Sequence, residues 1–299
     1  MRIGLFTDAY FPIIGGVSVS VRTLRDELVK LGHEVFIITN NHDDAIEEKN
    51  VVRAGGHKLP MKAMGEFRVG KVTKTKVKEI SDLNLDIIHC HTEFTMGRLG
   101  RRVAKKNHIP IVHTYHTMYE DYCHHISKRL VRPLRFASKV YSKSFANSAD
   151  EVVFPTVKVK RTFDRYGFNK PSHTIPTGIY LEKFRKNTYK NDEITNLKKS
   201  LGLKDTDFVL LFLGRMSREK DIESLIKNFS AIHKINQNAK LLLVGGGPDQ
   251  EYFKSIITEL RINDSVIMTG MVSPNEVGFY YHVADLFCNF STTETQGLT

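Results

Sequence analysis

Arg215 and Lys220 stand five residues apart in Gly214-Arg-Met-Ser-Arg-Glu-Lys220, directly after the apolar run Phe208-Val-Leu-Leu-Phe-Leu213. The apolar run reads as a short buried strand, and a helix is predicted to begin near Asp221. Ligands of open α/β sheets bind outside the carboxyl ends of the strands. Two cations in such a loop, next to a helix N-terminus, suit a diphosphate. Gly245-Gly-Gly-Pro248 closes a second predicted strand, Leu241–Val244, and around Gly246 the backbone could come close to a ligand. Gly15-Gly16 follows the first strand, and two readings stay open there: close approach to an anion or acceptor, or glycines that simply permit a turn.

A second constellation lies earlier. His89 and His91 flank the end of the predicted strand Asp86–Cys90, and His113 and His116 the end of Ile109–Tyr115. Glu93, Glu120 and Asp121 follow close behind. Titratable groups repeated at two strand ends occupy the rim where a doubly wound fold keeps its chemistry. His116 is the preferred ligand-facing residue, and Asp121 or Glu120 a candidate base. Solvated acids at a helix start and histidines satisfied in packing are the competing readings.

The elements that would position these residues alternate regularly. Arg2–Phe6 and Glu34–Thr39 read as strands joined through a helix with Val17, Val21, Leu24, Leu28 and Leu31 at helical spacing and Gly32 as its stop. This is a βαβ unit, with a right-handed crossover expected. After Pro176-Thr-Gly-Ile-Tyr180 and a polar stretch from Arg185 to Asp192 read as a linker, the alternation restarts. Strands are predicted at 208–213, 241–244, 266–269 and 285–289, with helices near 222–235, 250–260 and 275–282. The expectation is an α/β chain of two Rossmann-like doubly wound domains facing a cleft, with domains at 1–177 and 178–299.

Two segments carry charge next to apolar surface. Leu59, Pro60, Met61, Met64 and Phe67 lie in a predicted loop, with Lys71, Lys74, Lys76 and Lys78 following. From Lys128 to about Asn147 a helical pattern places Lys128, Arg132, Arg135, Lys139 and Lys143 on one stripe. Leu130, Leu134, Ala137, Tyr141 and Phe145 form a roughly opposite face, expected to pack inward. The apolar loop beside its lysines either touches a membrane surface or caps the protein's own core, and the basic stripe either sits on anionic lipid or is plain solvent surface.

The formal net charge of +11 over 299 residues asks for an anionic partner without naming it: nucleic acid, anionic lipid and a sugar nucleotide all qualify. No run approaches the ~18–20 apolar residues of a membrane span. Cys90, Cys123 and Cys288 are odd in number and widely spaced, which reads as reduced thiols of a cytoplasmic protein. The 13 histidines show no zinc-type spacing, so no metal is expected. A nucleic-acid module would interleave its cations with aromatics, and no such motif occurs here. A dinucleotide oxidoreductase would carry GxGxxG after a first strand, and neither half does.

The order of Gly15-Gly16, His113-Thr-Tyr-His116, Pro176-Thr-Gly-Ile179 with Phe184, Gly214-Arg215, Glu219-Lys220, Gly245-Gly-Gly-Pro248 and Glu294-Thr-Gln-Gly297 resembles glycosyltransferase family 4, of the GT-B fold, over the whole chain. The resemblance implies an enzyme whose second domain binds a nucleotide sugar. Arg215 and Lys220 would hold the diphosphate, and Glu294 the hexose hydroxyls. The amides of Gly297, Leu298 and Thr299 would face the phosphates, His116 would lie by the sugar, and Gly16 would close the floor near the acceptor. It also implies retention of anomeric configuration, generally without a metal. Cations preorganised around a departing diphosphate are what such a reaction needs in a metal's place.

Two departures from the family pattern stand out. The family's second glutamate, which should hold the ribose, would fall beyond Thr299, so the second domain is expected to be C-terminally truncated and the chain as given inactive or badly impaired. Full donor turnover by the purified chain would refute that expectation. Tyr180 also stands where the family often has Asp. Among family members, His113-Thr-Tyr-His-Thr-Met-Tyr-Glu-Asp-Tyr122 and the basic helix after it most resemble the bacterial diacylglycerol glucosyltransferases. Those are peripheral enzymes of the cytoplasmic membrane face that move glucose from UDP-glucose to a lipid hydroxyl. A soluble or cell-wall acceptor is the alternative.

Overall fold

Arg2–Phe6 (β1) is buried beyond its first residue and carries a parallel neighbour on each side, Glu34–Thr39 (β2) and Ile87–Cys90 (β6). Its side chains alternate between two cores. Ile3 and Leu5 join Val21 of the helix Gly16–Lys30 (α1) and Ile37 of β2. Phe6 joins Ile38, Ile88, and Leu99 and Val103 of the helix Thr95–Asn107 (α3). A strand buried on both faces must be apolar at every position, hence the unbroken run in the sequence.

The computed structural model describes residues 1–58, 68–126, 129–185 and 188–299. The chain divides into one unit of Met1–Ile179 with Thr295–Leu298, and a second of Tyr180–Glu294 with Thr299. The first unit adds Val51–Arg53 (β3), a short antiparallel pair His57–Lys58 (β4) and Arg68–Val69 (β5), Lys74–Ser81 (α2), Ile111–Thr114 (β7), Tyr119–Ile126 (α4), Val131–Ala146 (α5), Glu151–Phe154 (β8), Val157–Arg165 (α6) and Ser172–Thr174 (β9). Its main sheet runs β3-β2-β1-β6-β7-β8-β9, parallel throughout. The order reverses between β1 and β6, so their carboxyl ends form the topological switch point.

Helix α3 reaches that point because glycines stand at its closest approaches to Cys90 and Thr92. A Cβ on Gly100 would lie 2.9 Å from Cys90 Sγ, and one on Gly97 2.0 Å from the Thr92 carbonyl oxygen. These glycines let the first turn of α3 settle on the strand ends.

The second unit contains Asn191–Ser200 (α7), Phe208–Leu213 (β10), Ile222–Ile235 (α8), Ala239–Val244 (β11), Gln250–Glu259 (α9), Val266–Gly270 (β12), Val277–Val283 (α10) and Leu286–Phe287 (β13). Its parallel sheet runs β12-β11-β10-β13, so β10 is again flanked on both sides. Two differences from expectation concern local structure. The stretch read as a linker from Arg185 to Asp192 already contains the start of α7. The strand predicted over 285–289 is confined to two residues. Among the described residues no helix is long and apolar enough to cross a membrane.

Candidate active site

At the switch point of the first unit, Asp8 leaves β1 and is fully buried. Thr92 Oγ1 donates to its Oδ2 (2.6 Å), while the Met96 amide and Asn40 Nδ2 donate to Oδ1 (3.1 Å each). Its own amide donates to Thr92 Oγ1 (2.8 Å), closing a ring between the loop after β1 and the first turn of α3. Burial pushes this carboxyl up to about 6 despite those donors. Asp8 is not among the residues expected from the sequence. The only signal for it there is a carboxylate set directly after a strand buried on both faces.

The histidines predicted at two strand ends do come together. His89 and His91 stack with ring centroids 4.1 Å apart, and His91 Nδ1 lies 3.0 Å from His116 Nε2. His89 Nε2 is 2.7 Å from Thr114 Oγ1, and His113 Nδ1 donates to the Cys90 carbonyl at 2.9 Å. Burial lowers His89 and His116 to about 3 and His91 well below its ordinary value, so these three rings are neutral at physiological pH. Behind them Glu93 is buried. Tyr119 Oη donates to its Oε2 (2.7 Å), Tyr141 Oη to its carbonyl (2.6 Å), and His113 Nε2 lies 3.5 Å from Oε1.

Thr295–Leu298 completes this rim. Thr295 Oγ1 donates to the His116 carbonyl (2.6 Å), and Thr156 Oγ1 to the Thr295 carbonyl (2.9 Å). The Gln296 amide side chain exchanges two hydrogen bonds with the backbone of Thr177. Gly16 is the first residue of α1, and Leu298 Cδ1 lies 3.7 Å from where its Cβ would be. Gly297 is exposed, and the Thr299 carbonyl, in the second unit, accepts from Tyr281 Oη. Asp121 and Glu120 lie in the first turn of α4, where the Glu120 carboxylate accepts from Tyr166 Oη.

In the second unit, Gly214 to Lys220 leaves β10, turns through a single 3-10 turn at Arg218–Lys220, and enters α8 at Ile222. Lys220 Nζ lies 2.5 Å from Glu294 Oε1, the side chains 18% and 29% exposed. Arg215 is exposed. Ser217 Oγ donates to Glu219 Oε1, and Thr293 Oγ1 to the Glu219 carbonyl. Arg218, which the sequence does not single out, lies over the Tyr252 ring at 4.0 Å and pairs with Asp249 at 3.3 Å.

The triple glycine has a reason beyond ligand access. A Cβ on Gly245 would lie 2.0 Å from the Gly214 carbonyl oxygen, and one on Gly247 2.2 Å from that of Met216. The Met216 amide also donates to the Gly246 carbonyl at 2.9 Å. The two strand-end loops therefore pack backbone on backbone, and Gly246 is held against the cation-bearing loop.

Helix α5 differs from its expected packing. Phe145 is buried and Leu134 half-buried, but Leu130, Ala137 and Tyr141 stay exposed, and so do Phe136 and Val140. The C-terminal end of the helix docks in the core through Ser142, Phe145 and Ala146, and the helix also packs against α4. The cations turn partly onto the unit's own surface. Arg135 Nε donates to the Glu120 carbonyl, Lys139 sits over the Tyr166 ring, and Arg132 remains exposed. Met64 and Phe67 lie outside the described residues. Among the described residues no group of three or more His, Cys, Asp or Glu is placed to hold a metal ion.

Comparison with known proteins decides the family. Residues 14–183 match Glycosyltransferase Family 4, and residues 193–299 match Glycosyl transferases group 1. The chain belongs to glycosyltransferase family 4. It is 38% identical to the alpha-monoglucosyldiacylglycerol synthase of Acholeplasma laidlawii, covering all of this chain and 77% of that protein. It is 41% identical to the protein of the same name from Streptococcus pneumoniae, over all of this chain and 68% of that one. Among solved structures, sucrose-phosphate synthase of Thermosynechococcus elongatus superposes with a TM-score of 0.72 at 20% identity, covering 99% of this chain and 77% of that one. HepE of Anabaena, in complex with UDP, gives 0.73 at 17%, covering 98% and 74%. The family-4 chain is thus a glycosyltransferase of the GT-B fold, with two Rossmann-like units.

Proposed function

We propose that this glycosyltransferase moves glucose from UDP-glucose to a hydroxyl of diacylglycerol, with retention of configuration, at the surface of an anionic membrane. The observation that carries the reading is identity of 38% and 41% along the whole chain to two proteins named for that product. Their names specify an alpha product, which from an alpha-configured nucleotide sugar means retention. The UDP bound to HepE of Anabaena, a protein of the same fold, supports the choice of nucleotide.

In this reading Arg215 and Lys220 take the diphosphate as it leaves. No metal is invoked, because the two cations of this loop can meet the charge that develops there. Glu294, paired with Lys220 before the donor arrives, accepts from hexose hydroxyls, and the amides of Gly246, Gly297, Leu298 and Thr299 serve the phosphates. His116 is neutral and so offers a hydrogen bond to the sugar without a charge next to an oxocarbenium-like centre. Asp121 is the candidate base and Gly16 the acceptor floor. Leu130, Phe136 and Val140 would enter the lipid interface, with Arg132, Arg135 and Lys139 near the headgroups. Such an enzyme works from the cytoplasmic face of the cell membrane. The test is glucosyl transfer by the full-length protein from UDP-glucose to diacylglycerol in mixed vesicles, with the product anomer read by NMR. Transfer to a soluble or cell-wall acceptor, with diacylglycerol ignored, would overturn it.

A further inference from the structure

We propose that the buried His91 is a positioning residue that locks His116 in the tautomer carrying its proton on Nδ1. The inference rests on His116 serving as the sugar-facing residue and adds the group that sets what it presents.

The geometry is specific. His91 directly follows β6, its amide donating to the Phe6 carbonyl at 2.8 Å, and its residue exposure is 2%. Its ring is clamped between His89, stacked at 4.1 Å, and His116, at 5.2 Å. The 3.0 Å contact from His91 Nδ1 to His116 Nε2 needs one donor and one acceptor, so two neutral rings share a single proton there. If His116 Nε2 carried it, His91 would hold its own proton on Nε2. That atom is buried without a hydrogen-bond partner. A buried N–H with no acceptor is rarer than a buried lone pair left unused. The proton therefore sits on His91 Nδ1, and His116 accepts it at Nε2. His116 then carries its own proton on Nδ1, the ring nitrogen left for a ligand, and meets the substrate as a donor. Thr295 Oγ1 on the His116 carbonyl and Thr114 Oγ1 on His89 hold the two outer members of the stack.

The titratable groups that act on the pair are His89 on β6 and His113 on β7, and Glu93 lies beyond His113, its Oε1 3.5 Å from His113 Nε2. His89 and His113 disfavour a further positive charge on the pair, as burial does.

The decisive measurement is the 15N shift pattern of the histidines in the full-length protein labelled with 15N-histidine, assigned with H116Q and H91N. The expected result is His116 as the Nδ1–H tautomer, unchanged from pH 5 to 8. An Nε2–H signal, or titration of His116 near pH 6 in the parent protein, overturns the proposal. This reading needs no activity, so it stands apart from any failure of the UDP-glucose assignment. The kinetic counterpart uses two variants. H91L removes the donor, and kcat should fall on the order of tenfold, the scale of one hydrogen bond, with KM for the donor sugar little changed. In the 15N spectrum of H91L an Nε2–H form of His116 should appear beside the Nδ1–H form, because Nε2 then has no proton to accept. H91N keeps an N–H at the Nδ1 position and should restore most of the rate and the single Nδ1–H tautomer of His116. Equal losses in H91L and H91N, with His116 still the single Nδ1–H tautomer in both, would reduce His91 to a packing residue.

Discussion

Phe136→Ser with Val140→Ser on α5 is the perturbation that isolates the membrane contact from the rest of the fold. Phe136 is 69% exposed and Val140 49%, so the folded protein gains little from Phe136 and, from the buried half of Val140, about 1 kcal/mol. Replacing a residue as exposed as Phe136 usually shifts stability by no more than ~0.5 kcal/mol. Fully burying such side chains is favourable by ~1.5–3 kcal/mol each. Scaled by the exposed fraction, Phe136 contributes ~1–2 kcal/mol to insertion and Val140 ~1 kcal/mol. Together they are expected to weaken vesicle partitioning on the order of 30-fold or more, at ~1.4 kcal/mol per tenfold. Arg132→Gln should cost about 1 kcal/mol, and only on anionic lipid. Sedimentation with vesicles of phosphatidylglycerol in phosphatidylcholine, at low and raised salt, separates the two contributions. The arginine effect should fade as salt screens it, while the apolar effect persists. If the double serine variant partitions like the parent, with unchanged circular dichroism and a Tm still well above the assay temperature, α5 is not the lipid face. Equal binding of the parent protein to neutral and anionic vesicles would likewise remove the basic stripe from the argument.

The leaving-group clamp predicts weaker UDP binding in Arg215→Ala and Lys220→Ala. Each should lose on the order of 10- to 100-fold, the range of one hydrogen bond to a charged group, measured by calorimetry. Because Lys220 pairs with Glu294 at 2.5 Å, Glu294→Gln is the control. If Lys220 acts only by holding Glu294, the double variant will bind UDP no worse than either single one. Asp8 predicts a stability signature. Its folded pKa is raised from 3.8 to about 6, so ionisation is penalised in the native state. The sign follows: its contribution is most favourable below pH 4 and is lost as pH rises through about 6, by ~3 kcal/mol in all. Denaturation of the parent and Asp8→Asn from pH 3 to 8 should show the parent losing that much relative to the variant, whereas a constant difference would contradict it.

What is readable from the sequence is whatever a run of side chains declares by itself. Phe208–Leu213 and Glu34–Thr39 are apolar nearly throughout because each is buried on both faces, and both are legible at their full length. Helix α7 escapes such a reading because it has no fully buried residue. Only Ile194 and Leu197 touch the core, in a stretch otherwise polar enough to pass for a linker. On α5 the spacing of apolar residues is correct but the environment it suggests is not. A helical stripe says which side chains share a face. It does not say that the helix meets the core only at Ser142, Phe145 and Ala146, leaving Leu130, Phe136 and Val140 in the open.

The site divides along the same line. Strand-end position brings out His89, His91, His113 and His116, because a parallel sheet delivers adjacent carboxyl ends to one rim. Which nitrogen meets which depends on side-chain rotation and on Asp8, Thr92 and Met96 seating α3, and these are contacts across more than eighty positions of chain. The glycines show how a correct location can carry an incomplete reason. Gly245-Gly-Gly247 suggests ligand access, yet Cβ atoms at Gly245 and Gly247 would first collide with the backbone of Gly214 and Met216. Those glycines are required before any donor binds, since they bring the loop bearing Arg215 and Lys220 against the next strand end. A substitution there would therefore displace both loops at once, and its loss of activity would say nothing about contact with phosphate. The cations themselves are the better probes, because removing Arg215 or the Lys220 ammonium leaves that backbone contact in place.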